Sequence, residues 1–149
     1  MIKNTYPNIS TEEKYKLLEA AKSVLSKAYV PYSGFRVGAA ILTVQGNIFT
    51  GCNVENGSYS LTICAERNAI ASAVTQEGGD KMRIRAVAVV NESGTFCPPC
   101  GACRQVLYEF GETAIEQSSP AKLIALLQDG DIIQEIPITE LLPSAFQLK

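Results

Sequence analysis

Two short stretches, Cys64-Ala65-Glu66-Arg67 and Cys100-Gly101-Ala102-Cys103-Arg104, decide how the rest of the chain is read. Cys100 and Cys103 stand one helical turn apart on a shared face, close enough for both sulfurs to chelate one ion. Cys64, like Cys100, falls at the start of a predicted helix. Helix N-termini carry partial positive charge and unpaired N–H groups, which lower thiol pKa values and favour thiolates. Laid side by side on one sheet, the two helices would aim their N-termini at a single spot. The expected fold is therefore α/β, with the chemistry at the helix starts.

The flanking sequence supplies that sheet. Upstream of Cys64, Val37 to Val44 and Ile48 to Val54 read as a β-hairpin around Gln45-Gly46-Asn47. Ser10-Thr11-Glu12-Glu13 fits a capping box for a helix over 11–29, with Leu17, Leu18, Ala21, Val24, Leu25 and Ala28 at helical spacing and Pro31 as its stop. The helix from Cys64 should run to about Thr75. Between the two motifs, Ile84 to Val90 is a short β-branched apolar run, typical of a buried strand. The second helix should cover about Gly101 to Phe110. Lys122 to Leu127 and Ile132 to Ile136, joined at Asp129-Gly130-Asp131, add two strands, and Thr139 to Phe146 a helical turn broken at Pro143. The sum is a mixed sheet of about five strands with helices packed on it, residues 1–149 forming one domain.

Composition narrows the function. The 149 residues include 13 basic and 15 acidic ones, for a net charge of -2, so no positive field exists to grip a polynucleotide. No apolar run reaches membrane-span length, and the polar start MIKNTYPNISTEEKYK has no apolar core of a secretion signal, so a cytoplasmic location is expected. Histidine is absent, which removes Ser-His-Asp triads, Cys-His proteases and HExxH zinc sites. Five cysteines, an odd number, argue against a disulfide framework in a reducing compartment.

Three thiolates without histidine suit Zn²⁺. A structural site closes the fourth position with a protein ligand, and a catalytic one leaves it to water. Glu66, two residues after Cys64, can reach a metal lying beyond the helix end, where a carboxylate can take and return protons. Three thiolates weaken the ion as a Lewis acid. Arg67 and Arg104 are the expected compensators, withdrawing charge through hydrogen bonds to sulfur. Two alternatives stand beside this reading: Cys97 as a fourth ligand closing a structural site, and Cys100-x-x-Cys103 as a redox pair. Cys52, in a strand, reads as a small hydrophobe.

With these residues in view, the chain resembles the small homotetrameric zinc-dependent cytidine deaminases. Cys64-Ala65-Glu66 and Pro99-Cys100-Gly101-Ala102-Cys103 match the signature of zinc deaminases. Pro31 to Ala40 is similar to the family's first-strand motif, Gly51 to Asn56 to its sugar-binding strand end, and Leu141-Leu142-Pro143 to its C-terminal motif. The resemblance implies a three-layer α-β-α fold and hydrolytic deamination of cytidine and 2′-deoxycytidine. It implies one Zn²⁺ per chain held by Cys64, Cys100 and Cys103, with Glu66 shuttling protons. Asn53 and Glu55 would bind the ribose 3′-hydroxyl, Phe35 would pack on the pyrimidine, and Ala65 would line the substrate site. Tyr59 and Phe146 would complete the sites of neighbouring subunits in a homotetramer. Gly57 departs from the family's usual Ala. The alternative reactions are deamination of a modified cytosine nucleoside such as blasticidin S, or no reaction at all around a structural zinc.

Overall fold

The computed structural model describes residues 9–112 and 121–148. Helix α1 spans Thr11–Ser23 and opens on the expected reciprocal cap: Glu13 N–H donates to Ser10 Oγ at 3.1 Å, and Ser10 N–H to Glu13 Oε2 at 2.8 Å. It stops well short of residue 29. The Ser23 hydroxyl turns back onto the Ala20 carbonyl at 2.7 Å, and the chain tightens into a 3₁₀ turn over Leu25–Lys27. Arg36 Nη1 binds the carbonyls of Ser26 and Ala28, and Tyr29 is drawn into a β-bridge with Val54. Long-range pairing has overridden the local helical periodicity.

Strands β1 (Val37–Thr43) and β2 (Ile48–Cys52) form the hairpin, followed by α2 (Ala65–Glu77), β3 (Ile84–Asn91), α3 (Gly101–Phe110), β4 (Ile124–Asp129), β5 (Ile132–Pro137) and the short α4 (Ile138–Leu141). The last hairpin begins and ends about two residues later than the sequence pattern suggests on β4. Its turn is the two-residue loop Gly130-Asp131, with Gly130 at φ +62, a conformation glycine adopts without Cβ strain. The sheet order is β2-β1-β3-β4-β5, antiparallel except for the β3–β4 pair. That parallel pair requires a crossover, and α3 lies on it.

Strand side chains alternate between two cores. On one face Ile41, Val87, Val89, Ala125 and Leu127 pack against α2, α3 and α4. On the other, Ala40, Leu42, Ala86, Ala88, Val90, Ile124 and Leu126 meet Leu17, Leu18 and Ala21 of α1. The architecture is thus three layers, α-β-α, as expected. Burial of the central strands on both faces explains their near-continuous apolar runs.

Two glycines set how closely helices lie on the sheet. A Cβ on Gly38 would fall 2.1 Å from the Ala21 carbonyl oxygen of α1. One on Gly51 would fall 2.4 Å from both the Ala65 carbonyl oxygen and the Ala69 nitrogen of α2. Backbone therefore touches backbone where α2 crosses β2, just after the helix begins. Asn68 Nδ2 adds a hydrogen bond to the Cys52 carbonyl at 2.8 Å. On the opposite layer, the buried Lys14 of α1 forms an ion pair with Glu135 of β5. Among the described residues no helix is long and apolar enough to cross a membrane.

Candidate metal centre and active site

Cys64 is the N-cap of α2, and Cys100 the N-cap of α3; Cys103 lies in the first turn of α3. The two helix starts bring the three Sγ atoms within 4.8 Å of one another. The Cys64–Cys100 Sγ separation is 3.8 Å. Two sulfurs of a tetrahedral zinc site, each about 2.3 Å from the ion, stand about 3.8 Å apart, so the Cys64–Cys100 pair already has the spacing this metal needs, with Cys103 close by. Cys103 N–H donates to Cys100 Sγ at 3.4 Å, orienting that sulfur from its own helix. Cys97 does not belong to this cluster, so the closed four-sulfur alternative has no geometric support. Burial pushes the Cys97 thiol up, which favours the neutral form over a ligating thiolate.

The cluster is electrostatically polarised. The Cys103 thiol, as hydrogen-bond donor, and the Arg67 guanidinium bring the Cys64 thiol down to about 5, against the cost of burial. Cys103 is shifted the opposite way, because it carries the proton shared with Cys64, is buried, and faces Glu66. Glu66 itself is 4 % exposed. Desolvation raises its pKa, and the neighbouring Cys64 charge adds to the effect. Its Oε2 lies 3.6 Å from Cys103 Sγ. A proton-accepting group poised above the ordinary carboxylate range thus sits in contact with the sulfur cluster.

The two arginines paired in the sequence reading behave differently. Arg67 Nη2 donates to Cys64 Sγ at 3.4 Å, the expected guanidinium–sulfur contact. Arg104 does not. Its Nε–H goes to the Pro99 carbonyl at 2.7 Å and its Nη1 to the Leu141 carbonyl at 2.8 Å, and among the described residues it makes no bond to sulfur. The side chain lies back along α3 toward Pro99 and α4, where these two carbonyls take up the guanidinium. Its assignment as a tuner of zinc charge is corrected accordingly.

The expected nucleoside-binding residues gather on the β1–β2 edge. Asn53 Oδ1 accepts from Val37 N–H at 2.9 Å, and its Nδ2 donates to the Phe35 carbonyl at 2.8 Å, so the amide fixes the loop that carries Phe35. Glu55 Oε1 accepts from the N–H groups of Tyr32 and Ser33 at 3.1 and 3.2 Å. The Ser33 hydroxyl is the largest influence holding the Glu55 carboxyl below its usual range. Tyr32 and Ser33 were not singled out from sequence, although Pro31-Tyr32-Ser33-Gly34 has the composition of a turn with free amides. Ala65 is buried in the first turn of α2 beside Gly51. Tyr59, in a 3₁₀ turn, is 77 % exposed and Phe146 is 69 % exposed; among the described residues neither ring is buried. Tyr59 does touch Tyr32 edge-on, with ring centroids 6.1 Å apart. Gly57 leaves room for the Tyr32 hydroxyl, which would lie 3.0 Å from a Cβ at that position.

This geometry agrees with the comparisons to known proteins. Residues 11–117 match the family described as "Cytidine and deoxycytidylate deaminase zinc-binding region". A cytidine deaminase of Sporosarcina psychrophila is 46% identical over 132 residues, covering 88% of this chain and 89% of that protein. The crystal structure of cytidine deaminase from Mycobacterium tuberculosis superposes with a TM-score of 0.75 at 39% identity, over 91% of this chain and 98% of that one. The cytidine deaminase structure from Burkholderia pseudomallei gives 0.73 at 43% identity, over 89% and 98%. With its paired helix N-termini, its three converging thiols and these likenesses, the chain belongs to the cytidine and deoxycytidylate deaminase zinc-binding family.

Proposed function

We propose that this protein hydrolyses the exocyclic C–N bond of cytidine and 2′-deoxycytidine, giving the corresponding uridines and ammonia. The observation that carries the reading is the buried Glu66 carboxyl in contact with a three-thiol cluster whose spacing suits zinc. Cys64, Cys100 and Cys103 would hold the ion, with Arg67 withdrawing charge from Cys64. When bound, Zn²⁺ supplies the chemistry common to zinc-dependent deaminases: it acidifies water and favours its attack on C4 of the ring.

The protein's own residues do the rest. Glu66, its proton affinity raised by burial, takes a proton from the attacking water and delivers it to ring N3. It then carries a proton to the departing amine. Glu55 is ionised, and a carboxylate accepts hydrogen bonds from sugar hydroxyls while repelling a phosphate. That favours a nucleoside over a nucleotide. Asn53 contributes by holding the Phe35 loop and by its remaining hydrogen-bonding capacity toward the ribose. Phe35, 42 % exposed, offers a face for the pyrimidine, and Ala65, between the ligand Cys64 and Glu66, would line the substrate site.

The uncovered Tyr59, Leu61 and Phe146 support an assembly in which other copies cover them. We take this to be a homotetramer of single-domain subunits, with Tyr59 and Phe146 completing neighbouring sites. A cytoplasmic place in pyrimidine salvage fits such a reaction. Metal analysis together with ammonia release from a nucleoside panel tests the proposal. One zinc per chain and turnover of cytidine and 2′-deoxycytidine is the expected result. Turnover of blasticidin S alone would transfer the chain to modified nucleosides, and ammonia from no member of the panel would overturn the enzyme reading.

A further inference from the structure

Arg104 sits directly after the ligand Cys103, yet both of its described hydrogen bonds point away from sulfur. Its Nε–H reaches the Pro99 carbonyl at 2.7 Å, and its Nη1 the Leu141 carbonyl at 2.8 Å. Both distances are those of charge-assisted bonds. Pro99 immediately precedes Cys100, and Leu141 is the last residue of α4. One planar guanidinium therefore joins the segment before a metal ligand to the C-terminal helix.

That segment is short of fixings of its own. Cys97-Pro98-Pro99-Cys100 lies outside any helix or strand, and its two prolines have no N–H to donate. Cys100 is also the exposed member of the thiol trio. The anchor at the other end is firm: Ile138 and Leu141 of α4 are packed in the same core as Leu107 and Tyr108 of α3. Gln105 Nε2 adds a bond to the Phe146 carbonyl at 3.0 Å, so the tail is strapped along the helix that presents two of the three sulfurs.

We propose that Arg104 is a positioning residue of the metal centre. By clamping the Pro99 carbonyl to α4 it fixes the approach to Cys100, and this slows loss of the ion. The inference rests on the reading of Cys64, Cys100 and Cys103 as zinc ligands. The fork geometry is essential to it, because a single ammonium is a point donor and does not reproduce two directed bonds to separate carbonyls.

The test measures zinc release from the zinc-loaded full chain into excess chromogenic chelator, with circular dichroism recorded alongside. Arg104→Ala and Arg104→Lys should both release zinc faster, by about tenfold or more, the usual scale for residues that orient metal ligands. The circular dichroism spectrum should stay unchanged. Should the alanine variant fail to fold, the lysine variant, which keeps the charge and the aliphatic stem, carries the test. A wild-type release rate in Arg104→Lys would show that positive charge suffices and would overturn the clamp. So would an unchanged rate in Arg104→Ala. Wild-type protein that holds no zinc would overturn the metal reading itself, a failure distinct from unchanged variants of a zinc-loaded chain.

Discussion

Glu66 Oε2 lies 3.6 Å from Cys103 Sγ, joining the one buried carboxyl of α2 to the buried thiol of α3. The effect runs one way: the carboxylate discourages ionisation of the thiol, while the thiol, as donor, favours the charged carboxylate against the burial that raises its pKa. A metal ligand must be a thiolate, so ion binding removes this proton and leaves the carboxyl facing a different partner. The pair is the point where metal loading and proton transfer meet.

Zinc binding should accordingly expel at least one proton, that of Cys103, while Cys64, with its pKa near 5, is already a thiolate at neutral pH. Affinity for zinc should rise with pH, because protons compete with the ion for sulfur. Calorimetric titrations in buffers of different ionisation enthalpy count the protons released. A binding heat independent of buffer would contradict the assignment.

Arg67→Gln should shift zinc loading to higher pH. The guanidinium helps to hold the Cys64 thiol down, and its loss lets that pKa climb back toward the ordinary range. A drop in zinc affinity of about tenfold at neutral pH is expected. Competition with a chelator of known affinity across pH 5–9 reads it out, and superimposable curves for variant and wild type would remove Arg67 from the centre.

Gly51→Ala should disturb the site from a distance. The new Cβ would press on the Ala65 carbonyl and Ala69 nitrogen at 2.4 Å, and neither backbone atom can swing aside. Lifting α2 off β2 costs about 1–3 kcal/mol of overpacking strain or more, and it also moves Cys64 and Glu66. Thermal unfolding should show the loss of stability and metal analysis a fall in bound zinc; full stability and full zinc would show that the close approach is unimportant.

Gly57→Ala should be mild. The Cβ meets only the far end of Tyr32, at 3.0 Å from its hydroxyl, and Gly57 has no positive φ to strain. Loss of chain entropy in the unfolded state offsets part of the contact, by about 0.4–1 kcal/mol. Adding Tyr32→Phe should relieve the remainder, so the double variant should be more stable than the two single effects sum to. Strict additivity in denaturant unfolding would mean the two residues do not sense each other.

Much of this architecture is legible in the sequence because local chemistry and tertiary structure agree. Ser10 and Glu13 cap α1 as their spacing demands, and the two-residue Gly130-Asp131 turn joins β4 to β5 where glycine permits it. The three thiols converge because each lies at or within the first turn of a helix start, as the predicted helix starts imply once the two helices lie side by side on the sheet. What was hidden depends on distant partners. The end of α1 is set by Arg36 and by the pairing of Tyr29 with Val54, neither of which leaves a periodic signal. Arg104 looks equivalent to Arg67 when both are counted from a cysteine, but the nearness of Leu141 redirects it. Asn53 and Glu55 read as polar strand-end groups aimed at a ligand; the backbone amides of Val37, Tyr32 and Ser33 that also occupy them could not be foreseen.

The central claim is that Glu66 moves protons next to an ion held by sulfur alone. Its most direct test is Glu66→Gln, which keeps the shape of the side chain and removes its basicity. Zinc content should remain at the wild-type level while the rate of cytidine deamination falls by about 10²–10⁴-fold, the scale of a positioned general acid–base. A zinc-loaded Glu66→Gln protein that deaminates cytidine at the wild-type rate would contradict the account.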